Sequence, residues 1–204
     1  MDETGLITNP PKPYWNFYEW SYANEGRKGF GDGGTHDLII NCAFIYSMER
    51  LNKLSDMIGE PRLSFDTEAI KTAITHNFFD ESTGLFNNCM ENDTKGVLGN
   101  TFALLIGLGD GRTLNAILNA DEIGLTPPTL SMKGYVYDAI LMHDPNAGEL
   151  ILDDIRKTYK KMLDAGATSF WETELGYVDF HNAGSLCHGW SAMPIYYYNK
   201  LINI

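Results

Sequence analysis

Apolar residues recur at helical spacing through most of this chain, and Gly, Pro and Asp cut the pattern into short lengths. Leu38, Ile39, Cys42, Ile45, Tyr46 and Met48 share a stripe that predicts a helix over roughly 35–58, and Gly59-Glu60-Pro61 stops it. Asp66 is an N-cap candidate for a second helix over roughly 66–79, with Ala69, Ile70, Ala73, Ile74 and Phe78 as its stripe. Phe79–Phe86 then reads as turn chemistry around Gly84. Further helices are expected at about 97–107, 111–120, 131–143, 147–164 and 185–202. Strand signals are confined to Leu85–Asn88 and Gly176–Phe180. About seven helices on short connections imply stacked antiparallel hairpins, an all-α chain of hairpin-stacking or toroidal type.

A chain of 204 residues buries one sizeable core, so residues 1–204 read as a single domain or part of a larger one. Residues 1–33 form an extended, aromatic-rich opening: Pro10, Pro11 and Pro13 oppose helix, and Gly29, Gly31, Gly33 and Gly34 end it. Residues 34–204 carry the helical hairpins. Acids outnumber bases 27 to 15, and the net charge of −12 argues against nucleic acid or an anionic membrane as partner. A neutral ligand such as a sugar is compatible with it. The three cysteines, Cys42, Cys89 and Cys187, have no framework spacing, which favours a reducing, cytoplasmic setting over a disulfide scaffold. Met1-Asp2-Glu3-Thr4 is unlike a secretory signal, and no apolar run reaches the ~20 residues of a membrane span.

The chemistry concentrates late in the chain. Gly166–Glu174 sets Glu172 beside Trp171 in a loop, and Ser185–Ala192 brings Cys187, His188 and Trp190 close behind. A carboxylate can activate water, and flat aromatic rings suit the C–H faces of a pyranose. Equally, Glu172 can be a solvated loop acid packing its stem on Trp171. Glycoside hydrolysis needs a second carboxylate, for which Glu174, Asp179 and Glu19 are candidates. Trp15, Trp20, Trp171 and Trp190 each flank a loop or helix start; they suit a sugar-stacking cleft or ordinary core packing. Asp32-Gly33-Gly34 and Gly107–Gly111 lack the Gly-Lys-Ser/Thr of a phosphate loop, and Ser185 and Ser191 lack a nucleophile elbow.

The late motifs resemble those of bacterial α-L-rhamnosidases with a six-hairpin catalytic domain. In that family a Gly-Ala-Thr-Thr-x-Trp-Glu element precedes a Ser-Leu-Cys-His-Gly-Trp-Ser-Ala element; here Ser169 stands for the second threonine. Phe78–Phe86 is similar to the family's Phe-Trp-Asp-Glu-x-x-Gly-Leu-Tyr loop, and the likeness runs over residues 5–203. The resemblance implies a partial (α/α)6 barrel and inverting hydrolysis of terminal α-L-rhamnosides, with no cofactor and no metal. It puts Glu172 at the general-base position and Trp171 and His188 beside the sugar. Glu19-Trp20 matches a family Asp-Trp element, with Glu in place of Asp.

The family's general acid lies in an Arg-Asp-Glu-Arg-like segment, which these 204 residues do not contain. The resemblance therefore implies the later half of a catalytic domain, with self-association or pairing with the missing half-barrel as expected partnerships. Two other readings stand beside it. One is a non-catalytic carbohydrate-binding or interaction module. The other is a zinc-dependent α/α toroid using Cys187 and His188, since Cys-His-Gly also resembles an element of lanthionine-cyclase-like toroids.

Overall fold

The computed structural model describes residues 1–11 and 35–202. Its elements are α1 (Leu38–Ile58), α2 (Thr67–Phe78), β1 (Phe79–Asp80), β2 (Leu85–Phe86), α3 (Val97–Leu105), α4 (Gly111–Leu118), α5 (Ala120–Ile123), α6 (Lys133–His143), α7 (Gly148–Asp164), a four-residue turn α8 (Asp179–Asn182) and α9 (Met193–Ile202). Among the described residues seven helices have eight residues or more, and the one sheet is a two-stranded hairpin pairing Phe79 with Phe86 and Asp80 with Leu85. The chain is all-α, as its periodicity predicts. Its contacts divide it into two compact units, Met1–Pro127 and Pro128–Ile204.

In the first unit α3 is the central element. All nine of its residues are buried, and it packs against α1, α4 and β2. The core side chains include Leu38, Ile45, Ile70, Ile74, Phe78, Phe86, Leu98 and Leu104. Two buried asparagines act as surrogate backbone. Asn100 Oδ1 accepts from Phe86 N–H at 2.9 Å while its Nδ2 donates to Phe86 O at 3.1 Å, pinning the hairpin to α3. Asn41 does the same for Ile7, accepting at 2.7 Å and donating at 3.2 Å, so the opening residues lie along α1. Such amides are stable inside because their donors and acceptors are satisfied. Asp66 caps α2 by accepting from Ala69 N–H at 3.0 Å, as expected.

The second unit is built on α6, α7 and α9. Apolar Ile151, Leu152, Ile155 and Met162 bury one face of α7. The Tyr197 hydroxyl of α9 reaches Gly134 O at 2.6 Å and Asp138 Oδ1 at 3.0 Å on α6. Tyr159 of α7 donates its hydroxyl to Ser191 O at 2.7 Å, in a 3₁₀ turn over Gly189–Ser191.

Two local expectations fail. Gly176–Phe180 is not a strand: Gly176–Val178 is a 3₁₀ turn running into α8, where Phe180, His181 and Asn182 hold left-handed φ of 51°, 59° and 66°. The last helix starts at Met193 rather than 185, because residues 185–188 spend their backbone groups on the preceding loop. Cys187, within the helix expected over 185–202, is consequently an exposed free thiol in a loop; Cys42 and Cys89 are buried and free.

Candidate active site

Gly166 ends α7. Its φ of +84° permits a helix stop in which Gly166 N–H donates to Leu163 O at 2.9 Å and Ala167 N–H to Met162 O at 2.9 Å. The chain leaves this stop as the loop 167–172 and is met by the loop 185–188. His188 N–H donates to Phe170 O at 2.7 Å, and Glu172 N–H donates to Ser185 O at 2.9 Å. Ser169 Oγ donates to Leu186 O at 2.5 Å. The two segments singled out in the sequence thus lie side by side, joined backbone to backbone.

Glu172 is half-buried on this ladder. Its Oε2 accepts from Ser185 N–H at 3.0 Å, which fixes the carboxylate to the neighbouring loop. Among the described residues Oε1 has no protein partner, so one oxygen is held and the other is open to accept a proton. Trp171 lies against Gly176: a Cβ there would stand 2.4 Å from the indole Cε3. Gly184 is equally constrained, since its Cβ would meet Gly176 O at 1.9 Å. These two close approaches fold the excursion 173–184 back on itself and set the indole beside it.

The His188 ring stacks on Trp190, with centroids 3.9 Å apart and planes 6° from parallel. Its Nδ1 is buried without a hydrogen-bond partner, as are Thr173 Oγ1 and Ser191 Oγ. Trp190 is exposed on this outer stack. The structure therefore brings Trp171, Glu172 and His188 onto one pair of loops, with Trp190 on the 3₁₀ turn that follows. Trp15, Glu19 and Trp20 lie outside the described residues.

The other acids of this region are engaged. Glu174 pairs with Lys161 at 2.7 Å and with Lys133 at 3.8 Å, and its charge holds the Lys161 ammonium above its usual range. Lys133 also contacts Asp154 at 3.1 Å and Thr158 Oγ1 at 3.0 Å, and Asp154 accepts from the Tyr137 hydroxyl. Burial pushes the Tyr137 phenol up, and the Asp154 carboxylate adds to the shift. Asp179 accepts from Phe180 N–H at 3.1 Å. Sequence reasoning missed this Lys133–Asp154–Glu174 network, because its members are spread over three elements and no local motif marks them.

An apolar groove of about 870 Å³ lies between α7, the loop 167–170 and α9. Phe170 lines it, but Trp171, Glu172 and His188 do not. Among the described residues no three His, Cys, Asp or Glu side chains gather where a metal ion could be held.

No protein-family model and no curated protein sequence matches the chain. Solved structures do. A GH78 family rhamnosidase of Bacillus sp. GL1 superposes with a TM-score of 0.76 at 21% identity over 97% of this chain. A rhamnosidase from Klebsiella oxytoca with rhamnose bound superposes with a TM-score of 0.70 at 16% identity over all of it. The fold is that of the rhamnosidases. It is a part of that fold: the chain spans 22% of the first protein's length and 39% of the second's. The helices and loops described above form a partial helical toroid of that kind. Among the described residues no helix is long and apolar enough to cross a membrane.

Proposed function

We propose that this chain supplies the water-activating side of a glycoside hydrolase site that inverts terminal α-L-rhamnosides. One observation carries the reading: Glu172 is anchored through Oε2 by the Ser185 amide while Oε1 stays open, on the loop pair that also presents Trp171 and His188. A base held by one oxygen keeps its orientation through the proton transfer. In this reading Oε1 takes a proton from water as that water attacks the anomeric carbon, and the sugar lies against indole faces. Trp15, Trp20 and Glu19 are assigned to the same cleft by their family-like positions. Inversion needs an acid roughly 6.5–9.5 Å from the base. Glu174 is tied to two lysines, so that acid is supplied from elsewhere.

Aryl α-L-rhamnosides separate the two carboxylate roles. A dinitrophenol leaves without protonation and so needs only the base, whereas an alkyl alcohol needs the acid as well. Hydrolysis of the dinitrophenyl rhamnoside is expected, and Glu172→Gln lowers its kcat by about 10²–10⁴-fold with the fold intact. Unchanged turnover in Glu172→Gln removes Glu172 from the mechanism. A non-catalytic sugar-binding module is the second reading, favoured by the engagement of Glu174. Calorimetry with rhamnose that shows binding, with no turnover of either glycoside, selects it.

A further inference from the structure

A backbone amide aims the Glu172 carboxylate, so whatever fixes that amide shares in the chemistry. The bond of 3.0 Å from Ser185 N–H to Glu172 Oε2 is the carboxylate's one hydrogen bond among the described residues. The direction of an N–H follows from the plane of its peptide, here the one joining Gly184 to Ser185. Two constraints hold that plane. Upstream, Gly184 N–H donates to Asp179 O at 3.0 Å, and a Cβ on Gly184 would stand 1.9 Å from Gly176 O. Downstream, the Ser185 hydroxyl turns back on its own chain. Its Oγ donates to Cys187 O at 3.1 Å and accepts from Cys187 N–H at 3.3 Å. These bonds close a turn over residues 185–187 and lock the Ser185 Cα frame on which the amide is mounted.

We propose that the Ser185 hydroxyl is a positioning group for the Glu172 carboxylate: by closing the 185–187 turn it keeps the Ser185 N–H on Oε2 and so keeps Oε1 turned to the attacking water. This role rests on the reading of Glu172 as the base. The neighbouring bonds do not duplicate it. Ser169 Oγ holds Leu186 O at 2.5 Å and His188 N–H holds Phe170 O at 2.7 Å, but both join the loops beyond the turn and reach the carboxylate only through it. Glu172 N–H holds Ser185 O at 2.9 Å, yet that carbonyl belongs to the peptide after Ser185, so the bond leaves the preceding peptide free to tilt. The hydroxyl spends its proton and a lone pair on Cys187, and therefore acts through the amide rather than on the sugar. Its loss falls on kcat and spares KM, because the His188 ring keeps its own tie to Phe170 and its stack on Trp190.

Hydrolysis of the dinitrophenyl rhamnoside by single and double variants tests this role. Ser185→Ala is expected to lower kcat about 3–10-fold, the weight of one hydroxyl's hydrogen bonds, with KM changed by less than about twofold. Ser185→Thr keeps an oxygen on Cβ and restores wild-type turnover. In the Glu172→Gln background Ser185→Ala costs nothing further, since a group that acts only through the base has nothing left to aim. The amide proton of residue 185 gives a reading that needs no turnover. An N–H held on a carboxylate resonates downfield, and this one moves upfield in Glu172→Gln and in Ser185→Ala alike. Four results would each overturn the positioning role: wild-type kcat in Ser185→Ala, equal losses in the alanine and threonine variants, a further loss in the Glu172→Gln background, or an amide indifferent to both substitutions. Glu172 remains the base in all four as long as Glu172→Gln abolishes turnover. Full turnover in Glu172→Gln, or none in the wild type, removes the base and the positioning role together.

Discussion

Gly176 decides where the Trp171 indole can lie. It holds a φ of +57°, and any Cβ would enter the ring. Gly176→Ala therefore combines overpacking with a left-handed alanine, and a loss of about 1–3 kcal/mol in stability is expected. The displaced indole changes the near-ultraviolet dichroism, and chemical denaturation gives the stability. An alanine variant with unchanged dichroism and midpoint would mean that Trp171 does not rest on this glycine. The same glycines explain what the sequence showed and hid. Gly166 was legible as a helix stop, because a glycine after a long apolar stripe has few other uses. Gly176 and Gly184 were not: Gly176 is constrained by Trp171 five residues before it and Gly184 by Gly176 eight residues before it, contacts invisible to any local pattern. Phe180 misled for the opposite reason. An aromatic after Tyr177-Val178 suggests a strand, but the three-residue left-handed run is imposed by the return of the chain to Ser185.

Among the elements, α6 and α7 are clamped to the Glu172 loop by charge. Lys133 sits in α6, Asp154 and Lys161 in α7, and Glu174 two residues beyond Glu172. The side chain of Lys133 is mostly buried, so removing its ammonium leaves Asp154 and Glu174 short of a partner. Lys133→Met is expected to cost about 1.5–3 kcal/mol, the range for hydrogen bonds to charged groups, measured by urea denaturation. Lys161→Met makes a contrast. Lys161 is largely exposed, and solvent screens its pair with Glu174, so a change near zero is expected. Equal losses in both variants would contradict the burial argument. Most of the longer helices were legible because they have a wet and a dry face, whereas α3, buried all round, reads as a largely apolar run. The boundaries of α1, α2, α4 and α7 fall within a few residues of their sequence-based limits, where Asp66 and Asp110 cap and Gly59 and Gly166 stop. The start of α9 was not legible: Ser185–His188 is consistent with helix locally, and only the bonds to Phe170 and Glu172 hold it in a loop.

At the scale of the whole molecule, the carboxylates with lowered pKa values among the described residues belong to the first unit. Hydrogen bonds from Thr4 hold the Asp2 carboxyl at about 2, and bonds from Ser82 and Lys95 hold Asp80 well below the usual range. The Arg112 and Thr113 amides depress Asp110 at the start of α4. Burial opposes ionisation of Glu91, but the Thr35 amide and hydroxyl outweigh it and the net shift is downward. A carboxyl whose folded pKa is depressed binds protons more weakly folded than unfolded. Its contribution is present above the unfolded value of 3.8 and is lost as the pH falls through the folded value, about 2 for Asp2. The shifts resolved in Pro128–Ile204 fall on tyrosines, lysines and an arginine, all upward, and none titrates in that window. Acid therefore acts on the first unit through these four carboxyls. Between about pH 4 and pH 2 the segment Met1–Pro127 is expected to lose amide protection, read by hydrogen exchange after correction for intrinsic exchange rates. Asp2→Asn with Asp80→Asn flattens the pH dependence of the first unit, because a neutral amide has no proton to gain. If the double variant leaves that profile unchanged, acid sensitivity resides in charges other than these.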